Sequence, residues 1–327
     1  MLTAVLFVGS AAGIYLACVY FVNGIEWLGR KLGVGETGTG TILAAFGTAL
    51  PESAVTFAAV VLGRNTAQKD IGVGAALGGP MVLATLSYAM VGLAIVWNRR
   101  RLGRTTRDIE CDLSRLRRDQ AWFLSIFIGK VVLGVLVFKF KPWLGVLFLL
   151  AYALYLLREL RGAQVLSEAV LEPLKLHPHG DPGLRWPLLQ TTLALAVIAV
   201  ASKVFVGQLE AVGTWAGMSP QLVALILSPV ATELPEIMNA IIWVRQGKER
   251  LALANISGAM MIQATIPTAL GLMFTSWMFS RPLVVSGLVT MAAVVVLLGL
   301  FSRPAVSARS LVPLAALYAV FVALIAL

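Results

Sequence analysis

The chain has 327 residues, 59% of them hydrophobic and 13% charged, against roughly a quarter charged in an ordinary soluble domain, so a water-soluble globule is excluded. Its 26 Lys and Arg outnumber its 16 Asp and Glu, for a formal charge of +10. The basic residues stand between apolar runs, so the partner they imply is a membrane surface and not nucleic acid. Residues 1–25 carry no charged side chain; the first apolar run therefore lacks the basic start of a cleavable signal and reads as a transmembrane helix of the mature chain. A helix needs about 20 mainly apolar residues to cross a bilayer. Polar breaks divide the sequence into ten such candidates, at 2–22, 37–62, 71–96, 121–138, 142–157, 187–206, 220–243, 251–274, 282–301 and 311–327. Loops this short leave no room for a sizeable soluble domain, and two cysteines, Cys18 and Cys111, make no disulfide framework.

With ten spans, alternate connections share a side of the membrane. Those after spans 1, 3, 5, 7 and 9 hold 19 basic residues, and the others hold 5: Arg64, Lys69, Lys139, Lys141 and Arg281. The positive-inside rule then puts the first set in the cytoplasm and both termini on the non-cytoplasmic side. Residues 97–120, with eight arginines, read as a topology anchor beside anionic lipid, with a regulatory site as the alternative. The connection 158–186 contains Pro173, Pro178, Pro182 and Gly183 and reads as a short helix followed by a hinge. It joins a first half, 1–157, to a second, 187–327.

The halves echo each other. Gly47-Thr48-Ala49-Leu50-Pro51-Glu52 pairs with Ala231-Thr232-Glu233-Leu234-Pro235-Glu236, sharing Thr-x-Leu-Pro-Glu. Each copy is followed by a polar turn and then by an apolar span of small residues, Gly72 to Pro80 in one copy and Ala254 to Met260 in the other. The copies start on spans 2 and 7. Five is odd, so the second crosses the membrane in the opposite direction. The expected fold is thus an all-α integral membrane protein of about ten transmembrane helices, in two inverted five-helix repeats with helices broken at the midplane, a plan recurrent among secondary transporters.

A proline inside a helix leaves the carbonyl four residues back without its donor. Pro51 frees that of Gly47, Pro235 that of Ala231, and Pro229 that of Leu225. Such carbonyls at membrane depth are tolerated when buried in protein or lining a cavity, where a cation can use them. Glu52 and Glu236 follow these prolines directly, and an ionisable group at mid-bilayer is functional by default; a protonated Glu, or a pair with Lys130 or Lys203, is the plain alternative. Calcium takes six to eight oxygens, so two carboxylates need help. The candidates are the hydroxyls of Thr48 and Thr232, the freed carbonyls of Gly47 and Ala231, the amides of Asn255 and Gln263, and water. The two threonines have an alternative in bonds to their own backbone, and Asn255 and Gln263 in an interhelical hydrogen bond. The glycines of spans 3 and 8 read as close helix packing, and Glu26 as an interfacial residue.

These residues resemble the cation/calcium exchanger superfamily on its sodium/calcium exchanger side, whose inverted repeats carry Gly-Thr-Ser-x-Pro-Glu and then a Gly-Asn-x-x-Gly-Ser-Asn-type motif. Residues 47–52 match the first motif with Ala49 for Ser, and 232–236 match with Glu233 for Ser. The resemblance implies that Glu52 and Glu236 are the paired calcium carboxylates and that Thr48 and Thr232 help to form cation sites. In the second motif Asn255 and Gly258 match, and Gln263 falls where the family often has Asn or Asp. In the first copy Ala75, Gly79, Pro80 and Leu83 supply no side-chain oxygen, which departs from the family's sodium sites. Glu233, three residues from Glu236, offers a compensation: neighbouring carboxylates in a poorly solvated site resist joint ionisation, so one keeps a proton.

The expected function is calcium exchange against sodium or protons by alternating access, in an integral membrane protein of a bacterial inner membrane. The expected partners are inorganic cations and lipid, with no cofactor and no protein partner. A sodium/proton or other monovalent antiporter is the alternative, and a transport-inactive homologue acting as a membrane sensor is another. An intramembrane hydrolase finds no nucleophile, so no enzyme is expected.

Overall fold

Apolar runs that must cross a bilayer form helix because hydrocarbon offers no partner to a backbone N–H or C=O. The computed structural model describes residues 2–34, 38–61, 66–162, 171–217 and 226–326. In chain order these form α1 (Leu2–Lys31), a π-helical stretch (Thr39–Ala44) running into α2 (Ala45–Val61), and α3 (Thr66–Val82). A second π-helical stretch (Leu83–Ser87) carries α3 into α4 (Tyr88–Asn98). There follow α5 (Leu113–Val135), α6 (Gly145–Gly162), α7 (Arg185–Trp215), the short α8 (Ser228–Thr232), α9 (Leu234–Arg245), α10 (Glu249–Phe274), α11 (Arg281–Phe301) and α12 (Leu314–Ala326).

Seven helical segments among the described residues are long and apolar enough to cross a membrane: Val5–Lys31, Gly72–Asn98, Lys141–Leu160, Arg185–Phe205, Glu249–Phe274, Arg281–Phe301 and Ala308–Ile325. The protein is an integral membrane protein. The other three expected spans take different forms. That at 37–62 is represented by the shorter apolar helix Thr39–Ala49 continued as α2. That at 121–138 is α5, a single helix that ends at Val135 and whose first turns carry Arg115, Arg117, Arg118 and Asp119. That at 220–243 is divided into α8 and α9, with 218–225 outside the described residues.

The first span is longer than the 2–22 expected, because Asn23 and Glu26 do not end it. Asn23 accepts from the Lys175 amide at 3.0 Å and from Gln190 Nε2 at 2.9 Å. Glu26, expected at an interface, is buried, accepts from Trp243 Nε1 at 2.9 Å and pairs with Lys248. The described part of the 158–186 connection is likewise tied to α1: Trp27 Nε1 donates to the Glu172 carbonyl at 2.9 Å, and Lys31 pairs with Asp181. The bond from Lys31 holds the Asp181 carboxyl below its ordinary range.

The centre is α10 with the continuous α3–α4. Their apolar windows are 83% and 78% buried, against 17% for Lys141–Leu160. Helix α10 touches α2, α3, α5, α6 and α9. Backbones meet there without side chains between them: a Cβ on Gly258 would lie 2.2 Å from the Thr41 carbonyl oxygen, which is why a small residue is required. The starts of α7 and α10 and the end of α9 lie 183 or 184 residues after the starts of α1 and α3 and the end of α2.

Polar contacts sort by end of the bundle. Among the described residues, the ion pairs join Glu26, Lys31, Arg104, Glu110, Arg115, Asp119, Glu159, Asp181, Lys248 and Glu249, all within or beside the connections rich in Lys and Arg. At the other end, Lys69 Nζ donates to the Phe274 carbonyl at 3.0 Å, and Lys141 Nζ to that of Trp277 at 2.7 Å. At the first end burial, with Glu249 and Asp112 beside it, pushes the Cys111 thiol up to about 12. Thiolate is the reacting form, so Cys111 labels with maleimide about a hundredfold more slowly near neutral pH than a cysteine introduced at the exposed Arg100, after allowing for the greater nucleophilicity of a basic thiolate. Mass spectrometry of labelled vesicles checks this rate. Equal rates at the two positions would contradict the half-buried setting of Cys111.

Candidate cation site

The site grows from the proline-broken second copy of the Thr-x-Leu-Pro-Glu element. Helix α8 ends and α9 begins at Glu233, whose backbone (φ −86°, ψ 1°) leaves the helical register with Pro235 in the first turn that follows. Pro has no N–H to give and is accepted in a first turn, where none is needed. The Glu233 amide still reaches the Pro229 carbonyl at 3.1 Å, and the Glu233 carbonyl accepts from Ile237 at 3.2 Å. This break holds two carboxylates in the interior, with Glu233 at 0% and Glu236 at 1% exposure. Glu236 lies in the first turn of α9, where unsatisfied N–H groups favour a negative charge.

The first copy behaves differently. Its backbone is helical without interruption from Ala45 to Val61, so Pro51 does not divide it as expected, and the irregularity falls earlier, in the π-helical Thr39–Ala44. Glu52 lies on α2, but its side chain, with those of Leu50 and Pro51, is outside the described residues.

Helix α10 completes the described part of the site. Gln263 is buried and donates from Nε2 to Glu233 Oε1 at 2.7 Å. The third wall is α3 at Gly78 and Gly79. A Cβ on Gly79 would lie 2.5 Å from Gln263 Oε1 and 2.7 Å from Glu233 Oε1, and one on Gly78 would lie 2.4 Å from Pro229 Cγ. Gly78 is thus a packing glycine, as expected. Gly79 is something else: its missing side chain is the space that the Glu233–Gln263 pair occupies.

The remaining expected residues have settings of their own. Thr48 Oγ1 donates to the Ala44 carbonyl at 3.1 Å and Thr232 Oγ1 to that of Pro229 at 3.2 Å, the backbone bonds open to such hydroxyls. Gly47 faces Phe21, 3.3 Å from where its Cβ would be, and Ala231 is fully buried. Asn255 is fully buried, with neither amide atom hydrogen-bonded among the described residues. Asn239, which the sequence reading passed over, is in the same condition and lies three residues past Glu236, a spacing that shares a helix face. Also unforeseen is a chain in which Gln120 Nε2 donates to the Tyr88 hydroxyl at 2.8 Å and that hydroxyl lies 3.1 Å from Ser257 Oγ, joining α5, α4 and α10. Lys130 is fully buried, with Nζ donating to the Ala76 and Gln263 carbonyls. Among the described residues no three His, Cys, Asp or Glu side chains come together, so a hard cation here would also need amide and carbonyl oxygens.

The family model for sodium/calcium exchanger protein matches residues 2–160 and 186–327. The chain belongs to the sodium/calcium exchanger family. It is 27% identical over 279 residues to Inner membrane protein YrbG of Escherichia coli (strain K12), covering 84% of this chain and 80% of that one. It is 26% identical over 260 residues to Sodium/calcium exchanger MaX1 of Methanosarcina acetivorans, covering 73% and 74%. Its fold matches that of the sodium-calcium exchanger NCX_Mj with a TM-score of 0.75 over 99% and 98% of the two chains, at 20% identity. Within that fold, Gly79 and Glu233 meet at one point in space.

Proposed function

We propose that the chain is a secondary active antiporter that exchanges calcium for protons, with sodium in a reduced role, by alternating access between two inverted repeats, 1–157 and 187–327, hinged at 158–186. Glu52 and Glu236 act as the calcium carboxylates. Thr48, Thr232, Asn255, Gln263 and the carbonyls of Gly47 and Ala231 supply further oxygens. The membrane is a bacterial inner membrane with both termini outside.

The observation that carries the proton reading is the Glu233 carboxylate, fully buried, bonded by Gln263 and lodged against Gly79. Calcium needs oxygens that are negative or strongly dipolar. A buried carboxylate resists ionisation until a cation arrives, so calcium binding expels a proton and protonation expels calcium. The sign follows: apparent calcium affinity rises with pH, because the proton that competes for the site becomes scarcer. Sodium/proton exchange is the second reading, favoured by the absence of side-chain oxygen at Ala75 and Gly79.

Purified protein in liposomes, given labelled calcium outside and an outward proton or sodium gradient, separates these readings. Proton-driven uptake by the wild type that is lost in Glu233→Gln is the expected result. PH dependence unchanged in that variant would remove Glu233 from the coupling. Uptake under neither gradient, with sodium movement driven by protons, would instead establish the monovalent exchanger.

A further inference from the structure

Lys130 lies on α5, outside both copies of the Thr-x-Leu-Pro-Glu element, and is fully buried. Its Nζ donates to the Ala76 carbonyl on α3 at 2.5 Å and to the Gln263 carbonyl on α10 at 3.1 Å. Those two acceptors have one origin. Helix α3 contains Pro80 and helix α10 contains Pro267, each four residues beyond one of them, and proline has no N–H for the carbonyl four residues back. Two helices at the centre of the bundle thus each turn a released carbonyl toward one point, and the ammonium stands at that point. It also lies 5.2 Å from the Phe127 ring centroid, within reach of a cation–π attraction.

Convergent backbone carbonyls freed from helices are how membrane carriers hold monovalent cations, and an ammonium and a sodium ion make the same demand on them. Gln263 links this point to the site already described, since its carbonyl accepts from Lys130 while its side chain donates to Glu233. We propose that the Lys130 ammonium is a tethered substitute for one mobile monovalent cation, filling a two-carbonyl site made by Pro80 and Pro267. The carrier then moves one monovalent cation fewer per cycle than it would with that site open. This rests on the antiport reading above and adds to it the residue that sets the count of mobile ions.

Lys130→Met keeps an unbranched stem, one atom shorter, and removes the charge, opening the carbonyls to a diffusible ion. Two measurements test it, both with sodium chloride against choline chloride at equal ionic strength. In the first, on purified protein without calcium, sodium raises the thermal stability of Lys130→Met more than that of wild type, while Lys130→Arg behaves as wild type. In the second, in liposomes, the steepness of the sodium dependence of calcium transport rises by about one Hill unit in Lys130→Met, as one more bound cation requires. Equal sodium stabilisation of wild type and Lys130→Met, with unchanged steepness, would overturn the proposal. If Lys130→Met does not fold, Lys130→Gln is used in its place. Should neither fold in choline, folding restored by sodium supports the proposal, and folding restored by neither salt makes Lys130 a strut and overturns it. A wild-type protein that moves no calcium would defeat the antiport reading alone, because the stability measurement needs no transport.

Discussion

Glu236→Gln lowers calcium uptake by the reconstituted protein at least about a hundredfold. The side chain is buried at the start of α9, and the amide that replaces it has nearly the same shape and no charge. Removing one charge from a buried pair typically costs about 3–5 kcal/mol, and each factor of ten in affinity is about 1.4 kcal/mol, so a divalent ion held by Glu236 is lost over any ordinary concentration range. The fold should survive, because the amide keeps the shape and the hydrogen-bonding capacity of the buried side chain. The measurement is therefore double: uptake falls, and the calcium-dependent rise in thermal stability seen in wild type disappears while stability without calcium is kept. Glu52→Gln, its partner in the first copy, gives the same pair of results. Undiminished uptake in Glu236→Gln would take the α9 carboxylate out of the transport site.

Much of this was legible in the chain. Apolar length placed seven of the ten expected spans because the bilayer imposes it, and Thr-x-Leu-Pro-Glu stood out because a proline and a carboxylate inside an apolar run are each costly and here occur twice. Three features were hidden, for separate reasons. The polar breaks at Asn23 and Glu26 do not end α1, since Lys175, Gln190, Trp243 and Lys248 satisfy them from distant parts of the chain. The burial of Lys130 depends on two prolines on other helices. Gly79 was readable only as a packing residue, because nothing local shows that the space beside it holds a carboxylate from residue 233. Each depends on which helices become neighbours, and hydrophobic periodicity does not carry that information.

That last pairing makes the sharpest expectation. A side chain at position 79 and the carboxylate at 233 compete for one volume, since the first β-carbon would come within 2.7 Å of Glu233 Oε1 and 2.5 Å of Gln263 Oε1. Both obstacles are the ends of flexible side chains, so Gly79→Asn displaces them and leaves the helices packed. The loss should appear in transport, about tenfold or more, with little change in thermal stability. Glu233→Ser alone empties the space and removes the proton-carrying group, abolishing proton-driven uptake. The two changes together place an amide on α3 facing a hydroxyl at the break, neutral oxygens that suit a monovalent cation, so the double variant transports again and is driven by sodium. Contacting groups of this kind typically couple by about 0.5–3 kcal/mol, which a comparison of the four proteins under proton and sodium gradients resolves. If the double variant is only as poor as the sum of its parts, the two positions do not share a function, and the proton must be carried by a group other than Glu233. If sodium drives it where protons drove the parent, then one glycine and one glutamate, 154 positions apart and touching in the fold, decide which ion is exchanged for calcium.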